Sequence, residues 1–188
     1  MKIFLLVFLW MISFHLYAQD QRKNSFGVSM GIGQPVTIQF TGSSSVSGNN
    51  FELGFNYYRQ LAKKVKFESG IVWHRLQLTT HSSEPPFGHS HYDVGLVYVP
   101  LFMRLNFSKH FFFHGGFLAD VDLRTAQSIR NQTGLGAGMG FGFEIPISKK
   151  LIIQMIPYLN LHSFLIDRQD GLSDGLFDRG IKIGIRTR

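Results

Sequence analysis

Leu135-Gly136-Ala137-Gly138-Met139-Gly140-Phe141-Gly142-Phe143-Glu144-Ile145 repeats with a period of two. Its odd positions carry apolar side chains. Its even positions are glycine until Glu144. Successive side chains on a strand point to opposite faces, so the stretch describes a strand with one apolar face and one almost bare face. A helix would scatter those glycines around its circumference, and each would weaken it.

The same period runs along the rest of the chain. Phe26, Val28, Met30 and Ile32 alternate with Gly27, Ser29, Gly31 and Gly33. Phe51, Leu53, Phe55 and Tyr57 alternate with Glu52, Gly54, Asn56 and Tyr58. Val65, Phe67, Ile71 and Trp73 oppose Lys66, Glu68, Gly70 and His74. Val97, Val99, Leu101, Met103, Leu105 and Phe107 form an unbroken apolar file. Phe113, Phe117, Ala119, Val121 and Leu123 oppose His114, Gly116, Asp120, Asp122 and Arg124. Ile153, Met155, Leu159 and Leu161 oppose Gln154, Tyr158, Asn160 and His162, and Ile181, Ile183 and Ile185 oppose Lys182, Gly184 and Arg186. With the opening stretch these make eight strands. Pro35, Pro100, Pro146 and Pro157 fall among them and each removes a ladder donor, so bulges or strand ends are expected there.

The connections alternate in length. Residues 61–64, 108–110 and 148–150 are short and basic. Residues 42–50, 80–90, 125–132 and 166–175 read as longer loops. Short turns at one end and long loops at the other are the pattern of bacterial outer-membrane barrels, with the short turns in the periplasm. No segment of the mature chain has the roughly 18 continuous apolar residues of a membrane-spanning helix.

The first segment reads as a secretion signal over residues 1–18, leaving residues 19–188 as one barrel domain. Lys2 supplies the positive start, residues 3–12 are apolar, and cleavage after Ala18 is the simplest reading. An uncleaved anchor is the alternative, but Ser13 and His15 interrupt a run already too short to span a bilayer. The chain has 188 residues, 19 of them Phe and 20 Gly, a composition that strands accept and helices do not. There is no cysteine, hence no disulfide, zinc-finger spacing or lipid-anchored thiol. The net charge of +7 raises nucleic acid as a partner, but the basic residues form no cluster with interleaved aromatics.

Alternation alone leaves open which face meets solvent. A soluble barrel keeps its apolar face inside, and a membrane barrel turns it outward. The glycine file 136–142 would make a weak solvent face, whereas inside a narrow barrel it makes room for longer side chains. The charges opposite the apolar files come in both signs: Glu68, Asp120, Asp122 and Glu144 against Lys66, Arg104, Arg124, Lys182 and Arg186. A closed lumen can pair them, with Arg104 expected as a central partner able to satisfy two carboxylates. Both features, together with the signal segment, favour the membrane barrel.

Acyl hydrolysis or transfer needs a His within reach of a Ser. His162-Ser163 are adjacent, so strand alternation points them apart, and His81 and Ser83 fall in a loop. His81, Glu84, His89 and His91 share that loop, and two imidazoles with a carboxylate can hold zinc. A solvated polar loop is the plainer reading. His114 and His162 read as lumen fillers, as do Tyr58, His74, Phe102 and Tyr158. Trp73 and Tyr98 read as aromatics anchored near a membrane interface, with plain lipid-facing bulk the alternative for Trp73.

Tyr98-Val99-Pro100-Leu101-Phe102-Met103-Arg104-Leu105, the signal ending Tyr17-Ala18-Gln19 and the glycine-alternating strand ending in Glu144 together resemble PorT-like outer-membrane β-barrel proteins of Bacteroidetes. In that family an Ile-Pro-Leu strand runs into a basic residue and a Ser-Lys turn. Tyr98 stands where an acidic residue is common, and the chain ends Arg186-Thr187-Arg188 without a terminal aromatic. The resemblance implies an outer-membrane location, contact with barrel-assembly machinery during biogenesis, and for one member class a part in protein secretion. The expectation is an all-β, antiparallel, up-and-down transmembrane barrel in the bacterial outer membrane, surrounded by lipid, with no cofactor and no catalysis. Its external loops would meet any extracellular ligand. An accessory role in transport or secretion is the second reading, and a lipid-modifying barrel enzyme the third.

Overall fold

The computed structural model describes residues 24–38, 45–81, 89–123, 133–165 and 175–188. The signal segment, Glu84 and Arg124 lie outside them. Eight strands follow in order: β1 (Asn24–Ile38), β2 (Ser45–Ala62), β3 (Val65–His81), β4 (His89–Asn106), β5 (Phe111–Asp122), β6 (Gly134–Pro146), β7 (Leu151–Leu165) and β8 (Gly175–Thr187). Each pairs antiparallel with its neighbour in sequence, and β1 pairs with β8 to close the barrel. Closure leaves no free sheet edge, which is the condition for strands to sit in hydrocarbon.

The apolar files face outward. Ile32 is 65% exposed, Ile71 61% and Phe117 58%, and these continue into a ring with Met30, Phe55, Met103, Phe141, Met155 and Ile183. A soluble monomer rarely exposes apolar patches beyond roughly 300–600 Å². A ring running right round the molecule is the surface of a barrel immersed in lipid. Phe107, Phe111, Phe141 and Phe143 pack in stacked and tilted pairs at the short-turn end, with centroids 5.1–6.4 Å apart. That is an aromatic girdle at one interface.

At the other end the polarity reverses. Beyond Trp73 the outward residues of β3 are Arg75, Gln77 and Thr79, and those of β4 include His91 and Asp93. The inward residues there are Leu76, Leu78, Val94 and Leu96, which pack with Leu176 of β8. Above Trp73 the wall is thus built like that of a water-soluble barrel, and below it like that of a membrane barrel. The switch marks the outer edge of the hydrocarbon layer. It also explains a difference from the sequence reading. Residues 45–50, expected in a loop, belong to β2 and pair with β3, and residues 80, 81, 89 and 90 are likewise paired. Strand projecting above the bilayer needs no outward apolar file, so its sequence lacks the signal that identifies the rest.

Pro146 ends β6, as a strand-end proline should, while Pro35 keeps its place in the register with β8. Pairing lapses opposite Pro100 and Pro157, yet the register on either side is unchanged. The register shifts lie elsewhere, between Gln60 and Ala62 and between Leu135 and Ala137. Opposite the second shift, Ser163 adopts a positive φ of 53°. The turns are built by serine: Ser108 Oγ accepts from the backbone N–H of His110 and Phe111, and Ser148 Oγ from Lys150 and Leu151. Two hairpins thereby repeat one Ser-Lys-x turn in which the hydroxyl holds the backbone donors.

The glycine file of β6 does make room, but for rings rather than for Arg104. A Cβ on Gly142 would collide with Cζ of Phe112, one on Gly138 would lie 2.8 Å from Cζ of Phe102, and one on Gly140 2.5 Å from Nε2 of His114. Gly142→Ala should therefore lower stability by about 1–3 kcal/mol through overpacking. Gly95→Ala, where the nearest atom is 3.8 Å away, should change it by about 0.5 kcal/mol or less. Urea titration of the detergent-folded protein, read by the gel shift between unboiled and boiled samples, measures both. Equal effects at the two positions would contradict the close packing of β6 on Phe112.

Candidate functional site

The site is the lumen, because the inward positions of eight strands converge there. Its polar side chains fall into two clusters. Near the short turns, Arg104 of β4 is fully buried. Its Nη2 donates to Glu144 Oε2 at 2.6 Å and its Nη1 to Gln154 Oε1 at 3.0 Å. Arg186 Nη2 donates to the same Glu144 oxygen at 2.7 Å. Gln154 in turn donates to the Tyr58 hydroxyl at 2.6 Å. The Arg104 guanidinium lies 3.3 Å from the centre of the Phe112 ring, so the ring face meets the cation where no second carboxylate does. The expected arrangement is thus inverted: Arg104 does not bridge two carboxylates; Glu144 accepts from two arginines. The reason is the inward file of β6, where Glu144 follows the glycines as the sole charge and one of its oxygens reaches across the lumen to arginines of β4 and β8.

One pleat further in, Glu68 Oε2 stands 3.1 Å from His114 Nδ1. Val72, Tyr98, Phe102 and Leu118 then form an apolar layer. Tyr98 belongs to this layer at 1% exposure, so it is a lumen residue and not an interface anchor. Its position is even-numbered in the file opposite Val97 and Val99, and the alternation that sends those outward sends it inward. Trp73, 38% exposed, does face outward just below the polarity switch.

The second cluster lies beyond that layer. Tyr98 donates to Glu52 Oε2 at 2.5 Å, and Lys182 Nζ lies 3.1 Å from Glu52 Oε1. His162 Nδ1 is 2.8 Å from Asp120 Oδ1, and its Nε2 is 3.1 Å from Asp178 Oδ1. The second oxygen of Asp120 accepts from the Ser163 N–H at 2.9 Å, and Asn50 donates to Asp178 Oδ2 at 2.8 Å. The leucines at 76, 96 and 176 close the lumen above this cluster.

Of the charges expected to pair, Glu68, Arg104, Asp120, Glu144, Lys182 and Arg186 are all engaged inside the barrel. Asp122 stands half-buried at the far end of β5, and Lys66 borders the short-turn mouth. Glu52 and Asp178 were missed as members. Extending the inward file of β8 back from Lys182 through Gly180 would have reached Asp178, and Glu52 has the parity of Asn56 and Tyr58. Adjacent His162 and Ser163 are both buried, contrary to strict alternation, because the positive φ at Ser163 breaks the strand's pleat. Both ring nitrogens of His162 face carboxylates, leaving none directed at Ser163. In the loop candidate, His81 and His89 are cross-strand backbone partners, while His91 Nδ1 lies 3.0 Å from Thr79 Oγ1.

Arg104→Ala would leave Glu144 with one arginine and a void beside Phe112. A loss of about 3–5 kcal/mol is expected for a broken buried pair. The Arg75–Asp93 pair, 3.1 Å apart and more than half exposed, is the contrast. Arg75→Ala should cost about 1 kcal/mol or less. Urea unfolding in micelles compares the two. Similar small losses would mean that water reaches Arg104.

No family model matches the chain, and no curated protein matches it. Solved structures do. The outer membrane protein OprG from Pseudomonas aeruginosa is similar with a TM-score of 0.56 and 12% identity, over 90% of this chain and 97% of that one. The N-terminal β-barrel domain of Pseudomonas aeruginosa OprF matches at a TM-score of 0.40 and 12% identity, over 88% and 99% of the two chains. Ail of Yersinia pestis matches at 0.39 and 13%, over 87% and 99%. The likeness to OprG concerns fold alone and agrees with the outward apolar ring: the chain is a closed eight-strand β-barrel of the bacterial outer membrane.

Proposed function

We propose that the protein is a non-catalytic outer-membrane barrel with a permanently filled lumen, whose recognition functions lie outside the membrane. The filled lumen carries this reading. An eight-strand barrel has an interior that side chains can fill, whereas water-filled porins use about 16–18 strands. Here Arg104, Tyr58, Phe112, His74 and His162 are all 0–1% exposed, and leucines seal the far end. Opening a path would separate the buried charges from their partners, at several kcal/mol for each ion. The engagement of His162 by two carboxylates favours a non-catalytic lumen over a lipid-modifying enzyme.

A second reading is a PorT-like accessory of transport or secretion. It is favoured by the short-turn rim, where Lys66, Lys109, Arg186 and Arg188 border a cavity of about 280 Å³ and Lys63, Lys64, Lys149 and Lys150 are exposed nearby. A cationic rim suits an acidic periplasmic partner. Crosslinking through Lys109 or Lys149 in whole cells should capture one defined partner under this reading and only abundant periplasmic proteins under the first.

Planar-bilayer recording tests the filled lumen. No stable conductance steps are expected from the purified protein. Reproducible nanosiemens-scale steps would overturn the reading. Orientation is tested separately. A tag inserted near Pro86 should be reachable by antibody on intact cells, and one near Lys149 should not. The reverse pattern would put the basic rim outside the cell.

A further inference from the structure

His74 is fully buried, yet neither of its ring nitrogens has a hydrogen-bond partner among the described residues. An imidazole stripped of water and left unbonded is expensive to bury, so its surroundings call for an explanation. The ring faces His162, with centroids 5.4 Å apart, and its Nε2 lies 3.8 Å from Asp178 Oδ2, too far for a hydrogen bond. His162 Nε2 is 3.1 Å from the other oxygen of Asp178. One ligand atom from each of the three residues lies within 4.8 Å of the others.

These spacings are those of a metal site. Tetrahedral zinc with bonds of about 2.0–2.1 Å sets its ligand atoms about 3.4 Å apart; His74 Nε2 stands 3.8 Å from one Asp178 oxygen and His162 Nε2 3.1 Å from the other, so small side-chain shifts bring the three residues to that spacing. The surroundings match as well. Asp120 Oδ1 stands 2.8 Å from His162 Nδ1, and its other oxygen is pinned by the Ser163 N–H at 2.9 Å. A carboxylate bound to the far nitrogen of a ligating histidine fixes the ring and leaves Nε2 free of its proton for the metal. Charge points the same way. Among the described residues of this cluster, Glu52, Asp120 and Asp178 face one ammonium group, Lys182. With neutral imidazoles the excess is two negative charges, which one divalent ion cancels.

We propose that His74, His162 and Asp178 bind one divalent transition-metal ion, zinc being the ion whose ligand preferences they fit best. Asp120 is the positioning residue behind His162. The site joins β3, β7 and β8 across the lumen, directly beneath the leucine seal. It differs from the loop set of His81, Glu84, His89 and His91.

The test uses the detergent-folded mature chain with zinc chloride alone, then with cobalt chloride. After removal of free metal, one zinc per chain should remain, and cobalt should give the intense visible bands of a four-coordinate ion. His74→Asn and Asp178→Asn should abolish retention. Asp120→Asn should weaken affinity by roughly 10–100-fold. A double His89→Ala, His91→Ala variant should bind as the wild type does. Each variant is first checked for the gel shift of a folded barrel. Should a lumen variant fail to fold, the wild-type stoichiometry and cobalt spectrum still decide. Substoichiometric zinc on folded wild-type protein overturns the proposal. So does retention that survives His74→Asn in a folded barrel, or that is lost in the loop variant.

Discussion

A backbone in hydrocarbon has no water to bond with, so each N–H and C=O must find a partner in the protein. The ring from β1 to β8 meets that demand by closing on itself. With eight strands, closure yields an interior too narrow for a water channel and too wide to be left empty. The filled lumen, the glycine file and the buried ion pairs follow from this constraint. Each inward position must either supply volume or yield to a neighbour that does. Gly142 yields to Phe112, and Phe112 in turn supports the cation of Arg104.

The outward surface obeys the same constraint in reverse. Its apolar ring has no partner in the chain because lipid is the partner. Where the bilayer ends, near Trp73, the pattern flips within one pleat: Arg75 points out and Leu76 points in. The barrel wall therefore records two solvents along its length. The upper polar cluster, with Glu52, His74, Asp120, His162, Asp178 and Lys182, lies just inside this transition, between the apolar layer of Tyr98 and Phe102 and the leucine seal. The lower cluster around Glu144 lies next to the basic short-turn rim. One cluster is rich in carboxylates and the other in arginines, so the lumen is electrically polarised along its axis.

What could be read from the residues was governed by how local each signal is. Alternation is a property of neighbours, so the strand count and the sharing of one face by each file followed from it, and the bare glycine file with charges of both signs then placed Arg104, His162 and Tyr58 inside. It failed where the local rule was suspended. The strand extensions at residues 45–50 carry no outward apolar file, because they stand above the lipid. Ser163 leaves the pleat through its positive φ. Pro100 and Pro157 interrupt pairing without shifting register, since neighbouring pairs on both sides hold the ladder.

The amino-acid sequence by itself determined an antiparallel barrel with its apolar side outward, because a period of two and the glycine-bare opposite face are written along each strand. Only the tertiary structure decided which inward groups meet. Glu144 is 40 residues from Arg104 and 42 from Arg186, and His162 is 42 from Asp120. Such pairs depend on strand register and on the curvature that brings opposite walls across the lumen. A carboxylate's neighbours in a closed barrel are set by geometry around the ring, which no stretch of chain encodes locally.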